Sequence, residues 1–211
     1  MPLAALVLPL LLASPPLVPL SDVDPSIRQA LAYAGSENFL GRPVAGYVDG
    51  VCRLTPRAAQ ALARAQKRLA PDGFGLAVRD CHRPAAAGRD FAAWVQGPAT
   101  ADPEPDAEAR RARHHPNVPR ADLMRAGYVA SRSEHTAGTA VDVELVRLDD
   151  GSTVDLGTPF DFFDPMSAHG ARGLAPSAVA ARRTLAAAMR AAGFRAHRRE
   201  WWHYALEPTR D

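Results

Sequence analysis

Cysteine is nearly absent from this 211-residue chain, with Cys52 and Cys81 the only two. Two thiols cannot build a four-thiolate zinc site or a disulfide-dense miniprotein, and they allow one bridge at most. Lysine is scarcer still, Lys67 standing alone among 25 Lys and Arg, a compositional bias to which no function attaches. Net charge is also small, +2, and the basic residues are scattered, so there is no electrostatic case for binding nucleic acid. What the chain does have is a globular balance, 47% hydrophobic and 23% charged residues, which argues against disorder and against a multi-span membrane protein. Its length suits a single domain with a substantial core.

The longest apolar run, residues 3–13, is followed by Ser14, Pro15 and Pro16, and the first charge is Asp22. Interrupted by Pro9, it is too short and too broken to span a membrane, but it suits the apolar region of a secretory signal. No Lys or Arg precedes it. The expected division is a signal peptide over 1–20 and one domain over 21–211, exported to the periplasm or beyond. If the run is instead a proline-rich arm, the protein is cytoplasmic. No cysteine closely follows it, which excludes a lipoprotein anchor.

Thr55 before Pro56 is a helix start, and Ala58, Leu62, Ala65 and Leu69 follow at helical spacing until Pro71-Asp72-Gly73. Leu76, Val78 and Asp80 alternate as a strand reaching Cys81, and Phe91, Trp94 and Val95 mark a second helix after Pro84. Residues 98–119 lack periodicity and predict an exposed connection with one helical turn. Val141, Val143 and Leu145 alternate with Asp142 and Glu144, giving a strand with one apolar and one acidic face. A turn at Asp149-Asp150-Gly151 leads to a second short strand, Thr153–Leu156. Ser177 is the expected cap of a helix ending at Gly193, and residues 200–206 read as a closing strand. Helices and strands mix without regular alternation, so the fold class is α+β, a single domain with a mainly antiparallel sheet flanked by helices.

Most of the seven histidines have bland readings: His114 and His115 solvated in the polar connection, His197 on the surface among arginines. Two stand in better company. His135 and Asp142 flank a glycine turn that runs into the acidic-faced strand, and His203 follows Glu200 by three positions among large rings. Two imidazoles and a carboxylate are a usual ligand set for a catalytic zinc, with a fourth position left for water. Asp142, opposite the valines, points into a polar cleft or is a buried charge needing a partner. Glu200 is then the candidate base. Its odd separation from His203 demands a bend at Trp201-Trp202, since a straight strand would turn the two to opposite sides. Arg83, in Arg79-Asp80-Cys81-His82-Arg83-Pro84, offers a fixed cation for an oxyanion, against the plain reading of one more surface arginine.

Together these residues are recognisable. His135-Thr-Ala-Gly138-Thr-Ala-Val-Asp142 with Ser133 before it, then Gly157-Thr-Pro-Phe-Asp161-Phe-Phe-Asp164 and Glu200-Trp-Trp-His203, resemble the D-alanyl-D-alanine dipeptidase family within the zinc D,D-peptidases. The likeness runs from about Tyr33 to Tyr204. It implies a zinc D,D-peptidase-like fold and one zinc ion per chain, held by His135, Asp142 and His203. Glu200 would be the base, Arg83 would stabilise the transition state, and Tyr33, Ser133 and Asp161 would line the dipeptide site, with Asp161 facing the substrate ammonium. The implied reaction is hydrolysis of D-Ala-D-Ala in cell-wall dipeptide turnover. The partner would be a small D,D-dipeptide, with no nucleic acid and no membrane span; oligomeric state is left open. The sequence departs from the family pattern at His82, usually tyrosine, and Thr136, usually serine, and neither removes a ligand or the base.

Two other functions compete. One is a zinc D,D-carboxypeptidase or endopeptidase acting on longer peptidoglycan stems, and the other a zinc-stabilised binding module without catalysis, which would need neither Glu200 nor Arg83. Cys52 before the first helix and Cys81 after the following strand could meet at one end of that unit. Such a bridge fits an oxidising compartment; two separate buried thiols are the alternative.

Overall fold

The computed structural model describes residues 16–98 and 106–207. The first strand, β1 (Val18–Pro19), pairs antiparallel with β3 (Arg53–Leu54) in a small two-stranded sheet. The main sheet has five strands in the order β2 (Arg28–Gln29), β4 (Phe74–Asp80), β5 (Ala140–Arg147), β7 (His203–Leu206) and β6 (Phe194–Ala196). Neighbours run antiparallel except β2 and β4, which are parallel. No helix among the described residues is long and apolar enough to cross a membrane.

The apolar run at 3–13 lies outside the described residues. Residues 16–20, expected in the leader, are built into the domain: β1 begins at Val18, Leu20 is fully buried, and Leu20 N–H donates to Cys52 O at 2.8 Å.

Helix α1 (Pro56–Leu69) starts where its cap specifies, with Thr55 accepting from Ala58 N–H at 3.3 Å and proline at the first position. Its buried stripe, Ala58, Ala61, Leu62, Ala65 and Leu69, has the four-residue spacing of a core-facing helix. Helix α4 (Pro176–Ala191) packs beside α1, and both lie on the sheet. Its cap position is Ala175, and Ser177 falls inside the first turn because Pro176 already fits the first helical position. The connection after residue 98 contains the two-turn α3 (Ala107–His114). Helix α2 (Ala85–Gln96) buries Phe91, Trp94 and Val95. Gly88 in α2 has no room for a side chain, since a Cβ there would collide with the Ser131 carbonyl.

Alternation divides β5. Val141, Val143 and Leu145 are fully buried, and Asp142 and Glu144 take the opposite face. Residues 153–156 make no strand, only an isolated bridge between Thr153 and Val146. The closing strand begins at His203 and not at Glu200, because Trp201 and Trp202 form a turn anchored by Trp201 N–H to Ser167 O at 3.0 Å and Val143 N–H to Trp202 O at 3.0 Å.

Cys52 and Cys81 form a disulfide that ties the segment before α1 to the end of β4, 29 residues apart. On the chain-entropy account a loop of this size stabilises the fold by about 3–4 kcal/mol. The Cys52→Ser/Cys81→Ser variant is therefore expected to unfold at lower denaturant and with a somewhat larger m-value, because its denatured chain is no longer held in a loop, measured by urea titration followed by circular dichroism.

Candidate active site and metal centre

Three adjacent strands deliver one row of side chains. Asp80 on β4 pairs with Asp142 on β5, which pairs with His203 on β7. Simple alternation would put Asp80 on the same face as Val78. The register shifts between Val78 and Asp80, and this bulge at Arg79 turns Asp80 onto the Asp142 face.

His135 enters from a 3₁₀ turn, Glu134–Ala137, that ends at Gly138 with φ 68°. Glycine is required here twice, for the left-handed backbone and because a Cβ would strike the Leu17 side chain. The turn is stitched to the end of β4 by Arg83 N–H to His135 O (3.2 Å) and to the α1 cap by Thr55 N–H to Gly138 O (2.9 Å).

The donor atoms converge. His135 Nε2 lies 3.1 Å from His203 Nδ1 and 3.3 Å from Asp142 Oδ1, and His203 Nδ1 lies 3.1 Å from Asp142 Oδ1. His135 Nδ1 sits 2.7 Å from Cys81 O. A carbonyl only accepts, so Nδ1 carries the proton and Nε2 turns its lone pair toward the Asp142 carboxylate. Two acceptors facing each other at this distance call for a shared cation. A tetrahedral ion with bonds of about 2.0–2.1 Å sets its ligand atoms about 3.3 Å apart, which fits the observed spacings and leaves a fourth position free. His135, Asp142 and His203 could therefore hold a metal ion.

These groups shape one another electrically. Burial opposes the Asp142 charge, but His135 and His203 outweigh it and hold the carboxyl well below the usual range. Burial likewise opposes a charged His203, yet Asp142 and Glu134 raise the imidazole to about 10. Glu200, in the turn before β7, is pushed up to about 7 mainly by burial, with Asp142 adding to it.

A cavity of about 200 Å³ lies over the donors, and all eight site residues expected from the sequence line it: Tyr33, Arg83, Ser133, His135, Asp142, Asp161, Glu200 and His203. Arg83 is held by Asp80, with Nε and Nη2 donating to Oδ2 at 3.0 and 2.8 Å, and its guanidinium lies over the Phe91 and Tyr33 rings at 5.0 and 5.4 Å. Ser133 Oγ is buried with no hydrogen-bond partner. Tyr33 Oη donates to Asp161 Oδ2 at 2.8 Å. Burial and the Asp142 charge hold the Asp161 carboxyl well above its usual range. Asp161 has φ 57°, a left-handed conformation that aspartate tolerates better than most residues.

Sequence reasoning passed over several participants. Asp80, three residues before Arg83, is fully buried, also accepts from Tyr47 Oη (2.6 Å) and Cys81 N–H (2.9 Å), and lies 3.5 Å from His135 Nδ1. The Asp-x-x-Arg spacing was the available signal. His197 is not a plain surface residue: it lines the cavity, with Nδ1 buried 3.5 Å from Glu200 Oε2. His114 and His115 are buried, at 4% exposure each, and not solvated. His114 braces the Asp161 loop through Nδ1 to Asp161 O (3.2 Å) and Phe163 N–H to His114 O (2.6 Å).

The chain matches the family described as D-ala-D-ala dipeptidase over residues 13–209. It is 36% identical over 187 residues to the D-alanyl-D-alanine dipeptidase of Enterococcus faecium, covering 89% of each chain. The corresponding protein of Streptomyces coelicolor is 40% identical over 181 residues, 86% of each chain. That of Escherichia coli is 28% identical over 190 residues, 90% of this chain and 84% of the relative.

Burial lowers the His114 imidazole from 6.5 to about 4, so the fold favours its neutral form. The resulting stability is complete above pH 6.5 and is lost as pH falls toward 4, by up to about 1.4 kcal/mol per pH unit. His114→Gln is expected to flatten the dependence of unfolding free energy on pH across this window, measured by urea titrations at successive pH values.

Proposed function

The chain belongs to the D-Ala-D-Ala dipeptidase family, and from that premise we propose that it hydrolyses the D-Ala-D-Ala dipeptide with one zinc ion held by His135, Asp142 and His203. The observation that carries this reading is the convergence of those three donors under a small cavity walled by Glu200, Arg83 and Asp161. When bound, zinc supplies a Lewis acid for the water and the scissile carbonyl.

Glu200 is the base. With its carboxyl raised to about 7, it can both take a proton from the attacking water and return one to the leaving amine near neutral pH. Arg83 stabilises the negative charge that develops on the carbonyl oxygen, and its pairing with Asp80 fixes the guanidinium before substrate arrives. Asp161, with Tyr33, receives the substrate ammonium. The incoming cation provides the countercharge that this buried carboxyl lacks. Ser133 Oγ, buried and unpartnered, is left to hydrogen-bond the dipeptide.

The cavity, about 200 Å³, has room for a small dipeptide, and the match to D-alanyl-D-alanine dipeptidases along most of the chain supports a dipeptide over longer peptidoglycan stems. The paired Glu200 and Arg83 favour a catalyst over a zinc-stabilised binding module. We also propose export, in which the enzyme turns over dipeptide derived from the cell wall. The apolar run at 3–13 and the Cys52–Cys81 disulfide support it, since structural disulfides persist in oxidising compartments.

Glu200→Ala is expected to bind zinc stoichiometrically while losing about 10²–10⁴-fold in kcat, read by metal analysis alongside a D-alanine release assay. Full activity in this variant would remove Glu200 from the mechanism. The zinc-loaded protein is expected to cleave D-Ala-D-Ala, and to act far more slowly on L-Ala-L-Ala and on a pentapeptide ending in D-Ala-D-Ala. Comparable rates on the pentapeptide would turn the reading to a carboxypeptidase.

A further inference from the structure

The two imidazoles of the donor set are supported from behind in different ways. His135 gives its outer Nδ1–H to a backbone carbonyl, Cys81 O, at 2.7 Å. His203 presents Nδ1 to the donor set, so its outer atom is Nε2, and the acceptor facing it is Glu134 Oε2 at 3.6 Å. The other oxygen of Glu134, Oε1, accepts from Arg195 Nη2 on β6 at 2.7 Å.

From this arrangement, and resting on the zinc reading above, we propose that Glu134, tethered by Arg195, is a positioning residue that receives the His203 Nε2–H and sets how tightly the metal is held. When a metal occupies Nδ1, the proton of His203 must reside on Nε2. The His203 side chain is 11% exposed, so this N–H needs a protein partner more than it would in water. At 3.6 Å the pair stands just outside hydrogen-bond length. Glu134, whose side chain is 47% exposed, has the freedom to close the gap. A carboxylate behind a ligating imidazole fixes the ring orientation and strengthens it as a donor.

Arg195 then has a definite task. It holds one carboxylate oxygen so that the other points inward, on a face where the Arg195 side chain is itself 53% exposed. Were this only an exposed ion pair between the 3₁₀ turn and the sheet edge, its removal would leave metal affinity unchanged.

The test is competition for zinc between the protein and a chromophoric chelator, with the wild type, Glu134→Ala, Glu134→Gln and Arg195→Gln. Both Glu134 variants are expected to fold, because the side chain is half exposed and contributes nothing to the core. In Glu134→Ala the zinc Kd is expected to rise by about 10–100-fold. In Glu134→Gln, whose amide oxygen still accepts but carries no charge, the rise is smaller, and Arg195→Gln shifts in the same direction by less than Glu134→Ala. A long-range ¹H–¹⁵N spectrum of the zinc-loaded wild type is expected to show a slowly exchanging His203 Nε2 proton that is lost in Glu134→Ala. Zinc affinity in Glu134→Ala within twofold of wild type would overturn the role of Glu134. A wild type that takes up no zinc would overturn the metal reading itself, so the two failures are distinct.

Discussion

A single buried carboxylate organises the polar half of this molecule. Asp80 is fully out of water, which would be costly for a lone charge, and it survives because its two oxygens are saturated: Tyr47 Oη and Cys81 N–H on one, the Arg83 fork on the other. That saturation fixes Arg83 over the cavity and directs the chain after β4 toward the His135 turn. The disulfide anchors the residue next to Asp80, and the carbonyl of that same residue sets the His135 tautomer. One short stretch, 80–83, thus links the core, the candidate metal site and the Arg83 guanidinium at the cavity wall.

Much of the fold was legible in the sequence for local reasons. The Thr55-Pro56 cap and the stripe that follows are short-range signals, and α1 begins and packs as they specify. The period-two pattern of 141–145 likewise gave both the strand and its division into faces. The misses are tertiary. Nothing near His114 signals burial: it is covered by a loop nearly fifty residues away, through Asp161 and Phe163. Thr153–Leu156 has strand-like composition but only a one-residue bridge to β5, so propensity found no ladder to join.

The site shows the same division. That His135, Asp142, His203 and Glu200 come together was legible because their residue types and spacings fit one chemistry, including the turn at Trp201-Trp202 that the Glu200–His203 separation demanded. Asp80 was harder to read because alternation assigned it to the wrong face, and the bulge that corrects this leaves no mark in a single sequence. Glu134 and His197 were equally hidden, since what gives them their place is proximity to His203 and Glu200 in space.

The row formed by Asp80, Asp142 and His203 lies across three paired strands, with Asp80 brought in by the bulge at Arg79, so main-chain hydrogen bonds locate these side chains before any ligand does. Pairing β5 with β7 and setting Asp142 beside His203 are consequently one event, to which the 3₁₀ turn adds His135. On β5, a slip of one residue would exchange Asp142 and Glu144 for the valines that line the core. On this strand the apolar face that drives collapse also proofreads the polar face behind it, so that packing the valines sets where Asp142 stands.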